Sequence, residues 1–98
     1  MDELRFSWDA RKAKSNLRKH RVSFEEAETV FLDEHALLID DPEASGGEDR
    51  FVLLGLSAKP RVLVVCHCLR EEGSVIRIIS ARRANKREER DYWERVTK

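Results

Sequence analysis

Between Arg50 and Arg82 three apolar runs follow one another with almost no chain between them, and that crowding fixes most of what the sequence can become. The spacing predicts strands over 50–57, 61–69 and 74–82, linked by Ala58-Lys59-Pro60 and Arg70-Glu71-Glu72-Gly73. Such links are too short for a parallel crossover, so neighbouring runs must pair as antiparallel hairpins. In the middle run Val62, Val64 and Cys66 alternate with Leu63 and Val65, so both faces are apolar and the strand belongs at the centre of the sheet.

Elements on either side complete the pattern. Leu4, Phe6 and Trp8 alternate with Arg5 and Ser7 as a short strand would. Asp9 reads as a helix N-cap, with Trp8 and Ala13 placed as a hydrophobic staple, and the first helix is expected over 10–20. Its apolar stripe, Ala10, Ala13 and Leu17, is narrow, which leaves most of its surface for charge. Ser23 and Glu26 have capping-box spacing and open a second helix to about Leu32, through Phe24, Ala27, Val30 and Phe31. A brief strand over 36–40 ends at Asp41-Pro42, and Glu43 to Asp49, with Gly46-Gly47, reads as a mobile loop. Asn85 and Glu88 again have capping spacing, and a third helix over 86–96 has only Tyr92, Trp93 and Val96 as large apolar anchors. The order is βααββββα, an α+β fold: one domain over residues 1–98, a twisted antiparallel sheet with helices packed on one side.

Formal net charge is zero, but the charges are segregated. Residues 1–21 hold seven Lys/Arg against three acids, residues 22–50 one against ten, and residues 51–98 eleven against six. Basic ends around an acidic middle give one face for an anionic polymer and another for a basic partner; a solvated surface with no special purpose is the plain alternative. No run approaches the ~20 apolar residues of a membrane span, and the N-terminus has no signal-peptide pattern. Two cysteines, Cys66 and Cys68, two apart on a strand, are poorly placed to bridge each other. A cytoplasmic protein with no membrane partner is expected.

For chemistry, Cys66-His67-Cys68 is not a zinc site, because alternation sends His67 to the opposite face from the thiols. There is no glycine-rich phosphate loop and no nucleophile elbow, and no metal or other cofactor is called for. Cationic groups and histidines remain. RNA can be cut without a metal, since its own 2′-hydroxyl attacks: a base takes that proton, cations stabilise the phosphorane, and an acid protonates the leaving oxygen. His20 can exchange protons near neutral pH, although a histidine at a helix C-terminus also simply meets the dipole. Lys19, Arg50, Arg77 and Arg82 can supply charge, and Tyr92 is an acid or a stacking surface. Arg77 alternates with Val75 and Ile79, so burial against an acid competes with a role toward substrate.

Phe6-x-Trp8-Asp9-x-x-Lys12-Ala13-x-x-Asn16-Leu17-x-Lys19-His20-x-Val22-x-Phe24-Glu25-Glu26-Ala27 closely resembles the N-terminal signature of BrnT toxins. Arg50, then Arg77-Ile78-Ile79-Ser80-Ala81-Arg82 with Glu88 and Tyr92 downstream, look like the rest of that pattern. Arg21 departs from it, standing where the family usually has Gly, and calls for a left-handed residue or a different turn. The resemblance implies a RelE-like ribonuclease toxin of a bacterial type II toxin–antitoxin system that inhibits translation, and with the metal-free chemistry above the expectation is a metal-independent endoribonuclease. It implies a BrnA-like ribbon-helix-helix antitoxin as partner, with operator DNA reached only through the antitoxin. Matching positions give His20, Arg50, Arg77 and Arg82 as candidate catalytic residues. Lys12, Lys19, Arg83 and Tyr92 are candidate RNA-binding residues. A non-catalytic antitoxin-binding co-repressor and a general nucleic-acid-binding module are the alternatives.

Overall fold

The computed structural model describes residues 4–40 and 50–97; the expected Asp41-Pro42 stop and the 43–49 loop lie outside the described residues. Element order is β1 (Arg5–Ser7), α1 (Ala10–His20), α2 (Phe24–Thr29), β2 (Leu37–Asp40), β3 (Phe51–Leu56), β4 (Val62–Arg70), β5 (Val75–Arg83) and α3 (Lys86–Val96). The helix starts are those the caps announce. The Asp9 carboxylate accepts from the Arg11 and Lys12 N–H groups at 2.8 and 3.2 Å, and the Ser23 hydroxyl accepts from the Glu26 N–H at 3.0 Å. Asn85 and Glu88 form a full capping box. α2 tightens after Thr29 into a 3₁₀ turn, Val30–Leu32, where branched and aromatic side chains crowd the last helical turn. Arg21 ends α1 at φ 58°, the left-handed one of the two alternatives its position left, and its N–H donates to the Leu17 carbonyl at 2.9 Å.

The sheet order is β1-β5-β4-β3-β2. β2 through β5 pair antiparallel as expected, but β1 joins the outer side of β5 in parallel, so the sheet is mixed. Nearly the whole chain separates β1 from β5, so no tight turn dictates their direction. What places β1 is Phe6, which packs on the first core cluster and meets Phe31 edge-on at 5.3 Å.

Helices cover both faces of the sheet, which corrects the one-sided expectation. α1 and α2 lie over a cluster that includes Val22, Phe24, Ala27, Leu63, Val65 and Ile78. α3 covers the opposite face, where Tyr92 seals Leu54, Val62 and Val64. The reason is the two-faced β4: with Leu63 and Val65 beneath α1 and α2, Val62 and Val64 need a second cover. Tyr92 is 2% exposed, whereas its neighbour Trp93 is 42% exposed, so the anchor of α3 is the tyrosine.

One irregularity in β5 decides where its arginines point. Cys66 opposes Ser80, but His67 opposes Ile78, so Ile79 is an extra residue on β5 and the strand carries a bulge. Residues 78 and 81 thereby both face the α1/α2 core, although they are three apart. Beyond the bulge the parity of β5 is inverted, and Arg77 shares a face with Ser80 and Arg82. His67, on the core side, stands edge-on to Phe31 at 4.8 Å; burial pushes its pKa down, and the ring serves as a neutral filler.

Candidate active site

The bulge turns Arg77 out of the core and into a cleft of about 260 Å³, lined by Asp9, Lys12, Arg50, Arg70, Arg77, Ile78 and Ile79. The cations reach it from different elements. Arg77 stands on β5 two residues before the bulge, with its Nη1 3.4 Å from the Ser7 hydroxyl on β1. Arg50 directly precedes β3 and Arg70 closes β4. Since Phe51 opposes His67, and Arg77 opposes Cys68, Arg50 and Arg77 approach from opposite sides of β4, roughly 10 Å apart at two strand spacings.

Lys12 comes from the first turn of α1, and its position depends on how that helix is clamped. Asn16, one turn further on, donates both amide hydrogens, to the carbonyls of Ala81 and Val22 at 2.8 and 2.9 Å. Its Oδ1 accepts from the Ala81 N–H at 3.1 Å. The side chain therefore satisfies both backbone groups of Ala81, as a neighbouring strand would, and it does so beyond Arg77, where β1 has ended. With Asn16 so held, the first turn of α1 keeps Lys12 in the lining of the cleft with Ile78 and Ile79.

The lining holds four cations and a single acid, and that acid, Asp9, is engaged in capping α1. The N-terminus of α1 adds its dipole to the same positive field. The cleft suits an anion with several oxygens, above all a phosphodiester, which guanidinium groups can grip in bidentate fashion.

The structure divides the sequence candidates. Lys12, Arg50 and Arg77 come together. Lys19 and His20 do not: they are exposed at the C-terminal end of α1, His20 about 12 Å along the axis from Lys12. Arg82 shares a sheet face with Arg77, yet its guanidinium grips Glu88 through two bonds, at 2.9 and 3.0 Å. That bonding raises the pKa of Arg82 and lowers that of Glu88, so the pair ties β5 to α3. Arg83 is exposed at the strand end. Tyr92 is buried and donates to Asp33 Oδ2 at 2.6 Å; burial and then this bond push its pKa far up, and its ring is turned into the second core cluster rather than toward the cleft. Sequence reasoning missed Arg70, because it fell within the link after β4; the register of β4 on β5 is what brings it to the cleft.

Among the described residues no His, Cys, Asp or Glu cluster is placed to hold a metal ion, and no helix is long and apolar enough to cross a membrane.

The fold and the cleft define a small α+β domain that presents a cationic cleft at the edge of a five-stranded sheet. Within that class the chain belongs to the BrnT family, described as the ribonuclease toxin, BrnT, of type II toxin–antitoxin systems, whose family model matches residues 8–88. The fold is similar to the crystal structure of the Brucella abortus ribonuclease toxin BrnT, with a TM-score of 0.65 and 19% identity, covering 86% of this chain and 100% of that one. A search among curated proteins found no match.

Proposed function

We propose that this chain is a metal-independent endoribonuclease that inhibits translation by cutting RNA in the Lys12–Arg50–Arg70–Arg77 cleft. A BrnA-like antitoxin neutralises it in the cytoplasm and carries the complex to operator DNA. The observation that supports this reading is the convergence of Lys12, Arg50 and Arg77 from three separate elements on one cleft, in a chain of a ribonuclease toxin family.

The chemistry is set by the groups in the cleft. The 2′-hydroxyl of the substrate gives up its proton to solvent water and attacks the adjacent phosphorus, and the bond from phosphorus to the 5′-oxygen breaks. Arg50 and Arg77 hold the non-bridging oxygens from two sides and stabilise the extra negative charge of the phosphorane. Lys12 is the lining group able to deliver a proton to the leaving oxygen. Products are a 2′,3′-cyclic phosphate and a 5′-hydroxyl.

The test is incubation of the purified, antitoxin-free chain with a structured RNA in excess EDTA, beside Arg77→Ala and Arg77→Lys. Cleavage by the wild type is expected, with a loss of about a hundredfold or more in Arg77→Ala and partial recovery in Arg77→Lys. Equal cleavage by all three, with folding intact, would refute the site. A second reading, nucleic-acid binding without scission, draws on one observation: the cleft is lined by no histidine among the described residues. It predicts salt-dependent binding that Arg77→Ala weakens, and no cleavage under any condition.

A further inference from the structure

Beside the cleft, the face of the sheet that carries Arg77 holds a second surface with a chemistry of its own. Ile39 opposes Val52, Val52 opposes Cys66, and Cys66 opposes Ser80, so these four form one straight row across β2, β3, β4 and β5. At about 4.8 Å between strands the row is about 14 Å long. Cys68, two residues beyond Cys66 on the same face, opposes Arg77, so the row runs directly alongside the cationic cleft. On its other side Tyr92 of α3 seals Leu54 and Val64. Ile39 is 47% exposed, and Val52, Cys66 and Ser80 are each partly exposed. The result is a narrow apolar strip between a helix and a set of cations.

Resting on the ribonuclease reading, we propose that this row is a shelf for one nucleobase of single-stranded RNA. The base lies flat over Val52 and Cys66 while the neighbouring phosphates sit on Arg50 and Arg77. A flat apolar surface bordered by cations is the combination that single-strand binders use, the charges tracking the backbone and the surface receiving an unstacked base. A duplex cannot use it, because its base faces are stacked inside the helix. The shelf has aliphatic and thiol groups rather than an aromatic ring, so the contact is dispersion and desolvation, and it discriminates little among the four bases. The Ser80 hydroxyl closes one end and is the one side-chain group of the row able both to donate to and to accept from a base edge through oxygen.

Cys66 supplies the test, since it is partly exposed while Cys68 is buried and serves as an internal reference. The rate of iodoacetamide labelling at Cys66 is measured with the full chain alone and with three probes. These are a single-stranded RNA oligonucleotide bearing 2′-O-methyl groups throughout, the same strand in a duplex, and polyphosphate of matched charge. Saturating single strand is expected to slow labelling about tenfold, and the other two by less than about twofold. Ile39→Glu, which sets a carboxylate at the exposed end of the shelf, is expected to weaken binding of the single strand about tenfold with the melting temperature unmoved. Equal protection by polyphosphate overturns the base shelf. So does oligonucleotide binding that depends on Arg77 yet leaves Cys66 labelling unchanged, and that result leaves the ribonuclease cleft standing. Absence of both oligonucleotide binding and RNA cleavage overturns both.

Discussion

Replacing Asn16 by Ala removes one side chain and leaves three backbone groups without their partners: the Ala81 N–H, the Ala81 carbonyl and the Val22 carbonyl. All three bonds are buried, and Asn16 itself is 6% exposed, so water does not readily replace the amide. At about 1–1.5 kcal/mol for each buried bond the loss is ~4 kcal/mol, a large share of the roughly 5–15 kcal/mol that holds a typical domain together. In a domain of this size that lowers the melting temperature by about 15–30 °C. Asn16→Asp, nearly the same shape, retains the acceptor for Ala81 but turns a carboxylate toward two carbonyl oxygens, and it is expected to be at least as harmful at neutral pH. Urea titration monitored by circular dichroism gives both values. An Asn16→Ala loss below about 1 kcal/mol, or an Asn16→Asp protein as stable as the wild type, would show that Asn16 does not clamp α1 to β5.

The same geometry makes three further outcomes testable. Glu26, with a side chain 2% exposed, accepts from Arg61 at 2.6 and 2.8 Å, and this bonding holds its carboxyl below the ordinary value of 4.5. A carboxyl depressed in the folded state stabilises above its unfolded pKa and ceases to as pH falls through the folded one, so the urea midpoint should decline from about pH 4.5 downward. Glu26→Gln should lower stability at pH 7 by about 2–3 kcal/mol and flatten that decline; an equally steep acid decline in the variant would refute the assignment. Tyr92→Phe should cost about 1.5–2 kcal/mol through the lost bond to Asp33, yet leave the rate of RNA cleavage unchanged, as a thermal melt beside a cleavage assay will show. His20→Ala should leave cleavage within about twofold of wild type; a hundredfold loss would relocate the site to the far end of α1.

Much of the fold is legible in the sequence because local signals decide it. Short links force β3, β4 and β5 into hairpins, and the caps at Asp9, Ser23 and Asn85 set the helix starts. What periodicity cannot convey is contact between distant segments. Strict alternation from Ala81 places Arg77 in the core, and only the extra residue at Ile79 brings it out; nothing in Ile78-Ile79 announces a bulge, since both residues suit a regular strand. Likewise, β4 reads as two-faced, but which helix covers which face is settled by Tyr92 reaching Asp33, a contact 59 residues apart in the chain. Of the candidate site, Lys12, Arg50 and Arg77 are recoverable from residue type and resemblance. Arg82 looks equivalent to Arg77 because its partner Glu88 lies beyond a strand–helix turn, outside any periodic pattern.

The parallel pairing of β1 with β5 also governs when the cleft can assemble during synthesis. Lys12 leaves the ribosome long before Arg77, and Asn16 cannot clamp α1 to β5 until Ala81 has emerged. A nascent chain that ends before β5 lacks the platform for β1, the anchor for α1 and one of the two arginines flanking β4. Such long-range closure is slow compared with formation of the α1–α2 hairpin, which can precede it. Translation products of this sequence truncated before β5 therefore lack the cleft, which is assembled only once that strand is free to join the sheet.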